Sequence, residues 1–173
     1  MRLSRIVYAS ALLIAAGVAS AAAGPTDPQI AHIVVTANQV DIDAGKLAEA
    51  RGHNADVKAF GKQMVTDHSG VNKQAVALAK KLGVTPEDNP TSQSLKKGGE
   101  DNLKHLRGLK GAAFDKAYID HEVAYHEQVL DAIDKVLIPN AKNEELKALI
   151  VKVRPAFVAH LERAKSIQEK LGQ

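Results

Sequence analysis

The stretch from Phe114 to Leu137, FDKAYIDHEVAYHEQVLDAIDKVL, narrows the choice of folds more than any other part of the chain. At 3.6 residues per turn, Ile119, Glu122, His126, Val129, Ile133 and Leu137 fall on one stripe. The stripe is apolar toward its C-terminal half, but a carboxylate and an imidazole interrupt it one turn apart. Such groups are costly to bury unless they are paired, hydrogen-bonded or bound to a metal. A helix of this kind calls for neighbouring helices that bring polar residues to meet it.

Three further stretches have the required length and period. Asp27 followed by Pro28 reads as an N-cap with proline at the first helical position, and opens a helix to about Arg51. Its stripe is Ile30, Val34, Ala37, Ala44 and Leu47. Asp41 falls on that stripe, unless the helix turns it outward and leaves Val40 and Ile42 to share the core. After Gly52, Asn54 reads as the cap of a second helix running to Leu82 and stopping at Gly83. Its stripe is Val57, Phe60, Met64, His68, Val71, Ala75, Leu78 and Leu82, with His68 in the middle. The last helix, capped by Asn143, carries Leu146, Ile150, Val153, Phe157, His160, Ala164, Ile167 and Leu171 on one face. Pro155 removes the bond to the Val151 carbonyl, so a kink is expected just before His160. Residues 83–99 are rich in proline, glycine and polar residues and read as a loop, followed by a short helix through Leu103 and Leu106 that ends near Gly108–Gly111.

Very short links join the first helix to the second and the 114–137 helix to the last, which makes each pair an antiparallel hairpin. The long middle segment can carry the chain across the bundle. The expected fold is therefore all-α, a ferritin-like four-helix bundle of two hairpins and one crossover bearing a short extra helix.

Ahead of this domain, Arg2 and Arg5 precede an apolar run from Ile6 to Val18 that ends in small residues. That order predicts a secretory signal peptide over residues 1–23, cleaved after Ala23 or after Ala21, leaving a bundle domain at 24–173 in the periplasm. The apolar run is too short to span a membrane comfortably, and no later stretch is long and apolar enough to do so. Cleavage would remove two of the 23 basic residues, leaving 21 against 20 acidic ones. A near-neutral surface of mixed sign gives no reason to expect nucleic acid. With no cysteine, the fold relies on no disulfide, and any metal would be held by imidazole and carboxylate.

Each long helix contributes a candidate to one polar layer: Asp41, His68, Glu122 with His126, and His160. Counted from the two links at ~1.5 Å per residue, their levels are compatible with one cluster. Three imidazoles and one or two carboxylates suit a single zinc ion, with copper, nickel or iron as alternatives. A di-iron centre is disfavoured, because its Glu-x-x-His motif is missing: Val65, Val123 and Phe157 stand three residues before His68, His126 and His160. The competing reading is a buried histidine–carboxylate network that fixes helix register and binds nothing. His32, His53 and His105 read as surface or helix-end residues, and His121 as an edge residue or substitute ligand. No residue is assigned a catalytic role.

The segments DIDAGKLA (41–48), VKAFGKQMVTDHSGVN (57–72), FDKAYIDHEVAYHEQVL (114–130) and RPAFVAHLERA (154–164) together resemble a widespread bacterial family of exported helical proteins of unknown function. Members of that family are labelled outer-membrane or periplasmic proteins with a ferritin-like fold. The resemblance implies an emphasis on Asp41, where the family prefers glutamate, and on His68, His126 and His160. At His121 the family more often has glutamine. Three functions follow as expectations: a periplasmic bundle binding one metal with no assigned reaction, a non-enzymatic envelope or stress protein acting through its surface on a protein partner, or a metal-dependent redox enzyme.

Overall fold

The computed structural model describes residues 24–172. The expected signal peptide, residues 1–23, lies outside the described residues. The described chain is all-helical: α1 (Asp27–Arg51), α2 (Ala55–Leu82), α3 (Pro90–Arg107), α4 (Gly111–Ala132), a π-helical turn (Ile133–Leu137), α5 (Ile138–Asn140) and α6 (Glu144–Leu171). No helix among the described residues is long and apolar enough to cross a membrane.

Local chemistry sets most of the helix ends. Asn54 accepts a hydrogen bond from the Asp56 N–H at the start of α2, and Gly83 closes that helix with φ 64°, a left-handed conformation that suits glycine. Asn143 accepts from the N–H groups of Glu145 and Leu146 to begin α6. The α1 start differs from expectation. Thr26, rather than Asp27, is the cap, in a reciprocal capping box with Gln29. The Asp27 carboxylate instead accepts from the Lys142 and Asn143 N–H groups, both at 2.9 Å, and so ties the start of α1 to the α5–α6 link.

The middle segment is also more ordered than its composition suggested. Helix α3 begins at Pro90, within the stretch expected to be a loop, because Asn89 and Ser92 form a capping box and proline suits the first helical turn. Gly99 lies inside this helix for a packing reason. A Cβ there would sit 2.8 Å from a Val40 methyl, so glycine lets α3 lie close against α1. The helix expected at 114–137 starts three residues earlier and changes to a π-turn after Ala132, ahead of Pro139, whose missing N–H breaks the α-type ladder there. Helix α6 continues through Pro155, which is exposed, so water can satisfy the freed carbonyl of Val151.

Helices α1 and α2 run antiparallel. Asn72 donates to the Val35 carbonyl at one level, and Gly45 and Gly61 face each other further along. Helices α4 and α6 form a second antiparallel pair, with Arg154 forked onto Asp134 near one end and Gln168 bound to Asp120 near the other. Asp115 of α4 ties the first pair to the second. Its buried carboxylate accepts from the N–H groups of His53 and Asn54, at 2.8 and 2.7 Å, just ahead of α2. Asp115→Ala leaves both donors without that partner, and is expected to cost roughly 2 kcal/mol in a denaturant unfolding experiment.

The core has two apolar halves. One is built around Ala48, Phe60, Met64, Phe114, Tyr118 and Ile167, the other around Ile30, Val129, Ile133, Leu146, Ile150 and Phe157. Between them, each of the four long helices places polar side chains at nearly the same level, and every one is almost completely buried: Asn38, Asp41, His68, Glu122, His126 and His160.

Candidate metal centre

The five residues expected from sequence converge. Asp41 points inward, which decides between its two readings: it is 1% exposed and its Oδ2 lies 3.5 Å from Nε2 of His68. One nitrogen from each of His68, His126 and His160 lies within 4.8 Å of the others, and Asp41, Glu122 and His126 form a second such group. His126 belongs to both. Nitrogens ~2.0–2.1 Å from a zinc ion stand roughly 3.3 Å apart, so small side-chain shifts would close the ligand set on an ion.

Which ring nitrogen keeps a free lone pair is fixed by what the other one touches. The Asn38 amide donates to the Val34 carbonyl at 2.8 Å, which leaves its oxygen facing Nδ1 of His68 at 2.7 Å. His68 must therefore carry its proton on Nδ1, and Nε2 holds a lone pair. Nδ1 of His126 lies 2.9 Å from the backbone carbonyl of Glu122, an acceptor only, so here too Nε2 is the free lone pair. Nε2 of His160 donates to the Asp67 carboxylate at 2.9 Å, which leaves its Nδ1 free. The three lone pairs so defined, His68 Nε2, His126 Nε2 and His160 Nδ1, are all buried without a hydrogen-bond partner, as are both oxygens of Asp41 and of Glu122. With both carboxyls ionised, these acceptors would repel one another. A cation or shared protons would relieve the repulsion.

The electrostatics agree with this geometry. Burial drives His68 well below the usual imidazole range, with the neighbouring His126 and His160 adding to the shift. His126 is lowered to about 4, chiefly by burial. His160 is lowered by burial despite its bond to Asp67. Burial raises Asp41 and Glu122 well above the carboxylate range, and Glu122 is raised further by Asp41 beside it. The imidazoles are therefore neutral at pH 7, the form that ligates metal.

These shifts give the metal-free protein a defined response to acid. His126, lowered from 6.5 to about 4, binds a proton in the unfolded chain at a pH where the folded chain does not. Stability is then lost as pH falls from about 6.5 toward 4, by about 3 kcal/mol for this residue alone. Asp41 and Glu122 act in the opposite sense, holding protons in the fold that the unfolded chain releases. The His126 contribution is read by comparison with His126→Gln: between pH 6.5 and 4 the denaturant midpoint of the metal-free parent should fall further than that of the variant.

A groove between α2 and α6 reaches the centre from solvent. A cavity of about 410 Å³, lined by Thr66, Asp67, Gly70, Gln74, Lys152 and Ala156, has His68 and His160 in its wall. Asp67, 38% exposed at the side chain, tethers His160 and also accepts from the Gln63 amide. Sequence reasoning missed Asp67 and Asn38. Asn38 lies three residues before Asp41 on α1, a spacing that could have marked it. Asp67 sits off the apolar stripe and gave no such signal. Tyr118 was missed as well; its buried hydroxyl has no partner, and burial together with Glu122 and Asp41 raises its pKa well above the usual phenol value. His32 and His121 are partly buried, while His53 and His105 are exposed, and none of the four joins the centre.

Comparison with curated proteins and with solved structures gave no match. The sequence profile of the family described as Domain of unknown function (DUF4142) matches residues 14–167, nearly the whole chain. With so much of its length matched, the chain belongs to the DUF4142 family.

Proposed function

We propose that this chain is an exported, ferritin-like bundle of the bacterial cell envelope that binds one transition metal ion between its four long helices. The observation that carries this reading is that one nitrogen from each of three buried imidazoles lies within 4.8 Å of the others, each ring having a buried nitrogen without a partner, beside two buried carboxyls. His68, His126 and His160 would be the nitrogen ligands, with Asp41 or Glu122 supplying oxygen. Three neutral nitrogens and a carboxylate suit zinc first, then copper, nickel or iron. Asn38, the Glu122 carbonyl and Asp67 orient the rings, as partners of metal-bound histidines commonly do.

A bound ion would supply Lewis acidity or, for copper or iron, a redox centre. The protein's own contribution is to hold neutral imidazoles in place and to wall off water except along the α2/α6 groove. No reaction is assigned to the site. Support for a ferritin-like topology comes from two antiparallel helix pairs joined by one long connection that carries α3. Export rests on the leader-like residues 1–23. Metal analysis of purified protein lacking those residues tests the central reading. About one ion per chain should survive dialysis and raise the unfolding temperature. A folded protein that takes up no metal under any loading would overturn it and leave a structural network in an envelope protein that acts through its surface. Consumption of dioxygen or peroxide in proportion to metal loading would be needed to support a redox enzyme.

A further inference from the structure

The second apolar half of the core contains a feature that the metal centre does not use. A cavity of about 230 Å³ lies among α1, α3, α4, the π-turn and α6, with Val71 of α2 at its edge and Ala37, Val129, Ile133, Ile150 and Phe157 in its walls. We propose that it binds one neutral, apolar small molecule, a hydrocarbon chain or single-ring compound larger than benzene, seated against the back of the imidazole cluster.

Three observations support this. First, the space exceeds the ~150 Å³ apolar cavity that stays dry and takes up benzene. Second, its chemistry is the reverse of the neighbouring chamber's. None of the buried unpartnered polar atoms belongs to a residue lining it; the Asn38 amide donates to Val34 and accepts from His68, and the Tyr125 hydroxyl donates to the Ala37 carbonyl. Nothing in the lining rewards water, whereas Thr91 and Gln128 supply a polar rim at exposed positions. Third, the departure of α4 from α-helical geometry occurs here: Ile133 and Leu137, the first and last residues of the π-turn, both line the cavity. Such turns are frequent at functional sites.

Phe157 is the partition between the two compartments. Its ring lines the cavity on one side and lies 5.1 Å, centroid to centroid, from His68 and 6.1 Å from His126 on the other. A guest pressing on Phe157 therefore presses on the imidazoles. This coupling, unlike the binding itself, rests on the metal reading above.

The test titrates the chain, lacking residues 1–23, with n-butylbenzene by isothermal titration calorimetry, both metal-free and after cobalt(II) loading. Saturable binding of about one probe per chain to metal-free protein is expected, weakened at least about tenfold in Ala132→Phe, which fills the cavity from a position remote from the imidazoles. If that variant does not fold by circular dichroism, Leu149→Trp serves the same purpose. Cobalt-loaded protein should show a change in its visible absorption when the probe binds, and Ala132→Phe should bind cobalt as the parent does. No saturable binding, or equal binding to parent and filled variants, overturns the proposal. Probe binding without cobalt uptake would sink the metal reading and leave the cavity site standing. Cobalt uptake without probe binding would do the reverse.

Discussion

His126→Ala is expected to take the chain from about one retained ion to none. His126 is the single residue common to both donor groups of the buried layer, and its Nε2 is one of the unpartnered lone pairs. Alanine removes that nitrogen and opens space between Asp41, His68 and His160. The tethering residues should behave differently. Asn38→Leu and Asp67→Asn keep all three imidazoles but loosen the orientation or lower the basicity of one, so affinity should fall by roughly 10–100-fold rather than vanish. Competition with a chromophoric chelator measures all three variants on one scale. If His126→Ala held metal as tightly as the parent, the proposed centre would have to be abandoned.

Gly61→Val should produce the largest loss of stability among the substitutions considered. A Cβ at Gly61 would lie 2.7 Å from the carbonyl oxygen of Gly45, and 2.9 Å from both the Ala48 Cβ and the Glu49 nitrogen. Most of those atoms are backbone, so no rotamer change can make room and α1 must move away from α2. Overpacking a core costs typically ~1–3 kcal/mol, and this case belongs at or above the top of that range. The separation would also reach His68, two turns along α2, and its partner Asn38 across the pair. Metal affinity should therefore fall together with the unfolding temperature. Gly70→Ala is the control: its Cβ meets nothing within 4 Å, so removing a helical glycine there should stabilise the protein by up to about 1 kcal/mol. Equal midpoints for the two variants would refute the close-approach argument.

How much of this was legible depended on whether a residue's task shows in helical spacing. Asp41, His68, Glu122, His126 and His160 interrupt apolar stripes, and a stripe states which way its members face. Their convergence could thus be read from four periodic patterns and two short links. Helix α3 was misread at its start because Pro90, Gly98 and Gly99 look like chain breakers one by one. In place, Pro90 sits where proline suits a helix and Gly99 is where α3 meets Val40. Leu95, Gly99 and Leu106 do follow helical spacing, but only if a glycine is counted as a contact residue. Asp67 was illegible for another reason. It is partly exposed, and its importance comes from a ring on a helix 93 positions further along, a pairing that no local pattern encodes.

The polar layer at mid-height also bears on how the molecule holds together. Without an ion, the two greasy ends are separated by a slab of buried polar groups, several of them without hydrogen-bond partners, which coheres less well than either apolar half. Thermal breathing should start there and let either end loosen without the other. An ion gripped by α2, α4 and α6, with a carboxylate from α1 or α4, would act as a rivet through that weak section and make the two ends melt as one unit. Amide-exchange protection across residues 38–41, 68, 122–126 and 160 should then rise with loading far more than at either end.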